Sequence, residues 1–175
     1  QRGGYFAWVK CVFQNGSRPV KFAFSPSVQS LYTGRLSAHP RVEIHDATLT
    51  PAAVAIVVAK SAANDEACFL LTRRAKGLTR HSGQYALPGG RLEPDESTKT
   101  AALRELQEEL GLTASTNQVV GQLDDFPTRS GFRITPVVVW LEQDTNMALD
   151  PNEVEEVFSV PVRDLIHPDI PRLHQ

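Results

Sequence analysis

Three glutamates crowd one short stretch, Arg104-Glu105-Leu106-Gln107-Glu108-Glu109, and their spacing sets what they can do. A helix advances about 100° per residue, so with Leu103 at zero Glu108 falls at about 140°, Glu105 at about 200° and Glu109 at about 240°. Leu106, Leu110 and Ala102 lie on the other side with Leu103, which predicts an amphipathic helix with a wholly acidic outer face. Like charges three or four residues apart repel by roughly a few tenths of a kcal/mol per pair. Divalent cations offset that repulsion, and hard carboxylate oxygens suit Mg²⁺ or Mn²⁺ better than zinc, which favours nitrogen and sulfur. Taken alone, three glutamates are also what an ordinary solvated helix face carries. The surroundings separate the two readings. Gly89-Gly90 stands just upstream, where bare backbone can approach a phosphate or offer a carbonyl to a metal, and Glu96 and Arg104 precede the cluster.

The elements that must position these groups follow from pattern. Ser97–Leu110 is the strongest helix, closed by Gly111 as its C-terminal cap. Upstream, Ala53–Ala59 and Ala67–Thr72 read as strands of a hairpin around the polar stretch Ser61–Glu66. Gln84–Leu87 reads as a short strand that ends in a turn at Pro88-Gly89-Gly90. Val119–Leu123, Ile134–Leu141 and Val154–Val160 are further strands, and Arg163–Ile166 starts a helical turn. Strands before, around and after one central helix predict a mixed α/β or α+β domain. Residues 1–50 read differently, as an N-terminal extension to a domain spanning 51–175. Within it, Tyr5–Phe13 and Val20–Phe24 are candidate strands about an Asn15-Gly16 turn, and a short helix follows Pro26-Ser27 through Leu31 and Leu36.

At 175 residues, with 41 % hydrophobic and 22 % charged content, the chain suits one globular domain with a real core. A net charge of −2 argues against nucleic acid or a membrane surface as partner. The longest apolar run, Ala52–Ala59, is strand-sized, so no membrane-spanning helix is expected. Cys11 and Cys68 lie far apart and form no CxxC pair, which fits small packing groups in an intracellular, reducing compartment.

Written out, the central stretch is Gly90-x5-Glu96-x7-Arg104-Glu105-Leu106-x-Glu108-Glu109-x-Gly111-Leu112. It resembles the Nudix box, Gx5Ex7REUxEExGU with U a bulky aliphatic, and every fixed position is met. Leu70-Leu71-Thr72-Arg73-Arg74-Ala75, followed by Gly83 and Pro88-Gly89-Gly90, resembles the further signature of the coenzyme A diphosphatase branch. The stretch Leu123-Asp124-Asp125-Phe126-Pro127-Thr128-Arg129-Ser130-Gly131-Phe132 is similar to another of that branch. Two positions depart from it. Thr79 stands where arginine is usual, with Arg80 one position late, and Leu87 replaces a phenylalanine.

The resemblance implies an α/β/α sandwich around a mixed sheet, with the box forming a loop–helix–loop. It implies Glu105, Glu108 and Glu109 as metal ligands, the Gly90 carbonyl as a further one, and Glu96 with Arg104 as a pair that holds the loop. It implies Mg²⁺- or Mn²⁺-dependent hydrolysis of a diphosphate, with a base from Glu108, Glu109 or the later trio Glu153, Glu155 and Glu156; that trio also reads as a solvated turn before a strand. The substrate it implies first is coenzyme A or acyl-CoA, cut to 3′,5′-ADP and 4′-phosphopantetheine or its acylated form. Arg73, Arg74, Lys76, Arg80 and His81 make a basic cluster suited to the nucleotide's phosphate, with Gln84, Gly89 and Gly90 beside it. ADP-ribose, NADH or another nucleotide is the alternative, and a silent binding domain is disfavoured because no box carboxylate is lost. Trp8, Trp140, Phe126 and Phe132 read as core rather than as adenine platforms, and the sequence leaves room for a homodimer.

Overall fold

β-branched and apolar runs supply the frame. The computed structural model describes residues 22–77, 82–142 and 146–166, so Tyr5–Phe13, the Asn15-Gly16 turn, Cys11, Trp8, Thr79, Arg80 and His81 lie outside the described residues, as do Val20 and Lys21. In chain order come α1 (Pro26–Ala38), β1 (Thr50–Lys60), β2 (Ala67–Arg74), β3 (Tyr85–Ala86), β4 (Gly89–Arg91) and α2 (Thr98–Leu110). A short 3₁₀ turn precedes β5 (Val119–Gln122), β6 (Phe126–Pro127), β7 (Phe132–Leu141) and β8 (Val154–Pro161), and a second 3₁₀ turn spans Val162–Ile166. The class is the expected α/β with a mixed sheet. β1 runs parallel to β7 from Thr50↔Phe132 to Ala59↔Leu141, while its pairings with β2 and β4 are antiparallel.

β1 and β2 form the expected hairpin only near its turn, at Val58↔Phe69 to Lys60↔Ala67. Beyond it the strands fork. β4 then pairs with β1, from Ala52↔Arg91 to Val54↔Gly89, and β3 pairs with β2 at Thr72 and Arg73. This corrects the turn expected at Pro88-Gly89-Gly90: Gly89 and Gly90 are strand residues, able to lie flush on β1 because they lack side chains. A Cβ on Gly89 would stand 2.7 Å from Val54 Cα and collide with the Ala53 carbonyl.

Alternate residues of the central strands build two cores. Ala53, Ala55 and Val57 of β1, Leu70 of β2, and Val137 and Val139 of β7 pack against Leu103, Leu106 and Leu110 of α2. Burying each of those leucines contributes about 1.5–3 kcal/mol. The opposite face of the sheet meets α1, whose Val28, Tyr32 and Leu36 pack with Val58, Val138 and Trp140. Trp140 is core as expected, stacked 4.5 Å from Phe24 and edge-on to Tyr32 at 5.9 Å. Cys68, also a buried packing group, is a free thiol.

The chain between α1 and β1 is fastened to the loop before β6. Asp125, with its side chain 3 % exposed, takes hydrogen bonds from Arg41 Nη2 (2.8 Å), Ile44 N–H (3.0 Å) and Thr135 Oγ1 (2.7 Å). Asp124 Oδ1 holds His39 Nε2 and the Val42 N–H, both at 2.9 Å. Among the described residues, no helix is long and apolar enough to cross a membrane.

Candidate active site

The helix carrying the glutamates is bounded as its sequence requires. The Ser97 side chain accepts from Thr100 N–H at the N-terminus, and Gly111 takes a left-handed conformation (φ 68°) at the C-terminus. The last carbonyls, of Glu109 and Leu110, accept from Asp150 N–H and Ala148 N–H, which ties the segment before β8 to this helix end.

The outer face is not wholly acidic. Glu108 is exposed, Glu105 is half-buried, and Glu109 is 3 % exposed, turned in beside Ala102 under β4. The wheel already placed Glu109 closest to the apolar stripe. Its burial follows because β4 approaches that flank with two glycines. Gly89 N–H donates to Glu109 Oε1 at 3.4 Å, and a Cβ on Gly90 would run into the Glu105 carboxylate. Burial, reinforced by Glu105 and Glu153 and opposed by the Gly89 N–H and Arg74, pushes the Glu109 carboxyl up to about 7. Burial also raises Glu105, with Glu108 and Glu153 adding to it and Arg104 working against it.

Arg104 is the hub. Its Nε and Nη2 donate to the two oxygens of Glu96, both at 3.1 Å, and Nη1 donates to Glu105 Oε1 and Glu108 Oε2, both at 2.9 Å. Nη2 also reaches the Arg91 carbonyl at 3.0 Å, while Glu96 Oε2 accepts from Glu93 N–H. One guanidinium thus ties the loop after β4 to the helix and screens the glutamates. The hydrogen bonds from Arg104, outweighing the cost of burial, hold the Glu96 carboxyl below its usual range.

The candidate phosphate-binding residues are divided. Arg73 pairs with Glu155 (3.3 Å) and Glu156 (2.8 Å), and Lys76 pairs with Glu155 (3.2 Å). Glu155 and Glu156 thus belong to an ion-pair network on β8. Glu153 is different, since it acts electrostatically on Glu105 and Glu109. Arg74, beyond a register shift in β2, acts electrostatically on Glu109, and its buried Nε has no hydrogen-bond partner among the described residues. The Arg74 N–H donates to the Gln84 carbonyl (3.0 Å), which sets Gln84 at the same end of the strands. Arg91, which the sequence reading passed over, lies over the Phe132 ring at 5.2 Å. Phe126 and Phe132 are partly buried and line a cavity, and are not sealed in the core.

The donor set suits a hard divalent ion: carboxylate oxygens, with no thiolate or imidazole among them. As they stand the described residues do not gather three such side chains into one ligand shell, and Arg104 takes up Glu105 and Glu108.

Residues 49–175 match the family model of the NUDIX domain, well over half of the chain. The chain belongs to the Nudix family. A Nudix hydrolase named NudL from Yersinia enterocolitica, itself called uncharacterized, is 34 % identical over 152 residues, covering 86 % of this chain and 72 % of that one. Nudix hydrolase 3 of Caenorhabditis elegans is 32 % identical over 134 residues, covering 74 % of this chain, which spans 55 % of the worm protein. Among solved structures, a MutT/nudix family protein from Enterococcus faecalis superposes with a TM-score of 0.55 at 22 % identity, over 79 % of this chain and 56 % of that one. MutT protein from Methanosarcina mazei gives 0.52 at 24 % identity, over 72 % and 82 %. These two show the shared Nudix fold. The family's hydrolases generally use a divalent metal.

Proposed function

We propose that this Nudix domain hydrolyses the diphosphate of coenzyme A or an acyl-CoA, giving 3′,5′-ADP and 4′-phosphopantetheine or its acylated form. The observation that carries the hydrolytic part is the closure of Glu105 and Glu109 against the glycine strand β4, with Glu108 beside them and Arg104 binding the loop to the helix. Glu105, Glu108, Glu109 and the Gly90 carbonyl would hold Mg²⁺ or Mn²⁺. The chemistry such an ion supplies when bound is neutralisation of the diphosphate, acidification of the attacking water and stabilisation of the leaving phosphate.

The chain's own residues do the rest. Glu96 and Arg104 fix the loop and so the distance between β4 and the helix. Gly89 and Gly90 leave no side chain between β4 and the carboxylates of Glu105 and Glu109. Glu153 is the member of the later trio suited to take the proton from water, because Glu155 and Glu156 are engaged with Arg73 and Lys76. Arg74, with Gln84 and Arg80, would bind substrate phosphate, and Arg73 would contribute only by leaving its carboxylates.

That engagement of Arg73 and Lys76 favours a second reading, another nucleoside diphosphate derivative such as ADP-ribose or NADH, which lacks the 3′-phosphate. A substrate panel with Mg²⁺ separates the two. Release of 3′,5′-ADP from coenzyme A should outpace every product from ADP-ribose and NADH; faster turnover of ADP-ribose overturns the assignment. Arg80→Ala should weaken discrimination between coenzyme A and its 3′-dephospho form, and unchanged discrimination removes that contact.

A further inference from the structure

Glu153 is held in place through its backbone. It ends the turn Asp150-Pro151-Asn152-Glu153, and an aspartate favours such a turn because its carboxylate can accept the N–H two residues on. Asp150 Oδ1 accepts from the Asn152 N–H (2.8 Å) and from Asn152 Nδ2 (2.9 Å). The Asp150 carbonyl accepts from Glu153 N–H (3.1 Å) and Val154 N–H (2.8 Å), and the Glu153 carbonyl accepts from Ala75 N–H (2.9 Å). Val154, 3 % exposed, is anchored in the core under α2. The Glu153 side chain, by contrast, takes no hydrogen bond or ion pair among the described residues, and its charge acts on Glu105 and Glu109.

The same turn is joined to the helix that carries those glutamates. Asp150 N–H donates to the Glu109 carbonyl (3.0 Å), and Ala148 N–H to the Leu110 carbonyl (2.9 Å). Met147 and Leu149 pack on the core under α2. Ala148 lies so close to Gly111 that a Cβ there would stand 2.8 Å from its own. Asp150 is thus bonded through its N–H to the helix end, through its carbonyl to Glu153, and through its carboxylate to the residue between them. We propose that Asp150 is a positioning residue that sets the Glu153 carboxylate against Glu105 and Glu109, a reading that rests on Glu153 as the base. Removing its carboxylate frees Asn152 and loosens the turn, and a displacement of about 1 Å at a reacting group can cost up to about 10²-fold in rate.

The test follows turnover with Mg²⁺ on coenzyme A or, if the substrate panel prefers it, on ADP-ribose. The proteins compared are Asp150→Ala, Asp150→Asn, Glu153→Gln and the double variant Asp150→Ala with Glu153→Gln. Glu153→Gln should lower kcat by about 10²-fold or more. Asp150→Ala should lower kcat by about tenfold with KM unchanged, and Asp150→Asn, which keeps the acceptor for Asn152, should restore it. On top of Glu153→Gln, the alanine should change kcat by less than about twofold, because the two residues act as one unit. In protein with EDTA and no substrate, amide exchange at Glu153 and Val154 should quicken about fivefold in Asp150→Ala, while Val57 exchanges as in wild type. A wild-type kcat in Asp150→Ala, an equal loss in both backgrounds, or unchanged exchange overturns the proposal. If Asp150→Ala does not melt cooperatively, Asn152→Ala takes its place, since it removes only the Nδ2 donor. A kcat loss in that variant confined to the chain with Glu153 intact supports the proposal, and any other pattern overturns it. A wild-type kcat in Glu153→Gln removes the base reading and Asp150's role with it. A low kcat there beside a wild-type kcat in Asp150→Ala removes Asp150 alone.

Discussion

Glu109 and Glu108 lie one position apart and carry the same charge, yet the fold treats them differently. Glu109 is buried under Gly89, where its ionisation is opposed, and Glu108 is out in solvent on Arg104. Glu109→Gln removes a buried acid while keeping its shape and its acceptor for the Gly89 N–H. In metal-free buffer the variant should melt at or above the wild-type temperature, while kcat with Mg²⁺ falls by about 10²-fold or more, as loss of a preorganised charge-stabilising group does. Glu108→Gln should change stability by no more than about 0.5 kcal/mol and also lower kcat severely. Thermal melts and steady-state kinetics on the two proteins check both statements; near-normal turnover in both would remove the metal-site role. Arg104→Ala should cost more stability, about 1–2 kcal/mol by denaturant unfolding, because partly buried Glu96 would lose both hydrogen bonds from its guanidinium partner.

At the scale of elements, β4 and the loop before β6 each do something their neighbours depend on. The two glycines of β4 meet different obstacles. A methyl on Gly89 strikes the backbone of β1, which cannot move aside, whereas a methyl on Gly90 strikes the end of a flexible glutamate. Gly89→Ala should therefore destabilise by about 1–3 kcal/mol, and Gly90→Ala by less while still displacing Glu105 and lowering activity. Unfolding midpoints and kcat measured on both separate packing from site geometry. In the loop before β6, burial pushes Asp125 up, but hydrogen bonds from Thr135, Ile44 and Arg41 outweigh it and hold the carboxyl below its ordinary value. A depressed folded value means stability that is present above the unfolded value, about 3.9, and lost as pH falls through the folded one. Melting temperature should therefore drop as pH goes below about 4, and in Asp125→Asn that drop should be shallower and start from a lower plateau.

For the molecule as a whole, two cores share one sheet. One, under α2, supports the carboxylates. The other, under α1, fastens residues 26–44 onto strands that belong to the Nudix-matched region. Tyr32 is 1 % exposed and packs edge-on to Trp140. Tyr32→Ala should lower stability by about 3–5 kcal/mol, seen as a lowered melting temperature with altered Trp140 emission. A variant that melts as wild type does would mean that α1 contributes little to this core.

Much of this was legible one residue at a time. The Ser97 and Gly111 caps, the apolar alternation of β1, and the run of Nudix positions from Gly90 to Leu112 are local, and local rules suffice because turn geometry and side-chain period act over a few neighbours. What the linear order could not carry was decided by approach between distant segments. Gly89 and Gly90 look like a turn until β1 and β2 fork and leave β1 an edge to be filled. Glu109 looks solvated until that glycine strand covers it. Arg73 and Arg74 look equivalent until β8 brings Glu155 and Glu156 to the first alone. Burial and ion pairing depend on what another strand places alongside, and no spacing within a single segment records that.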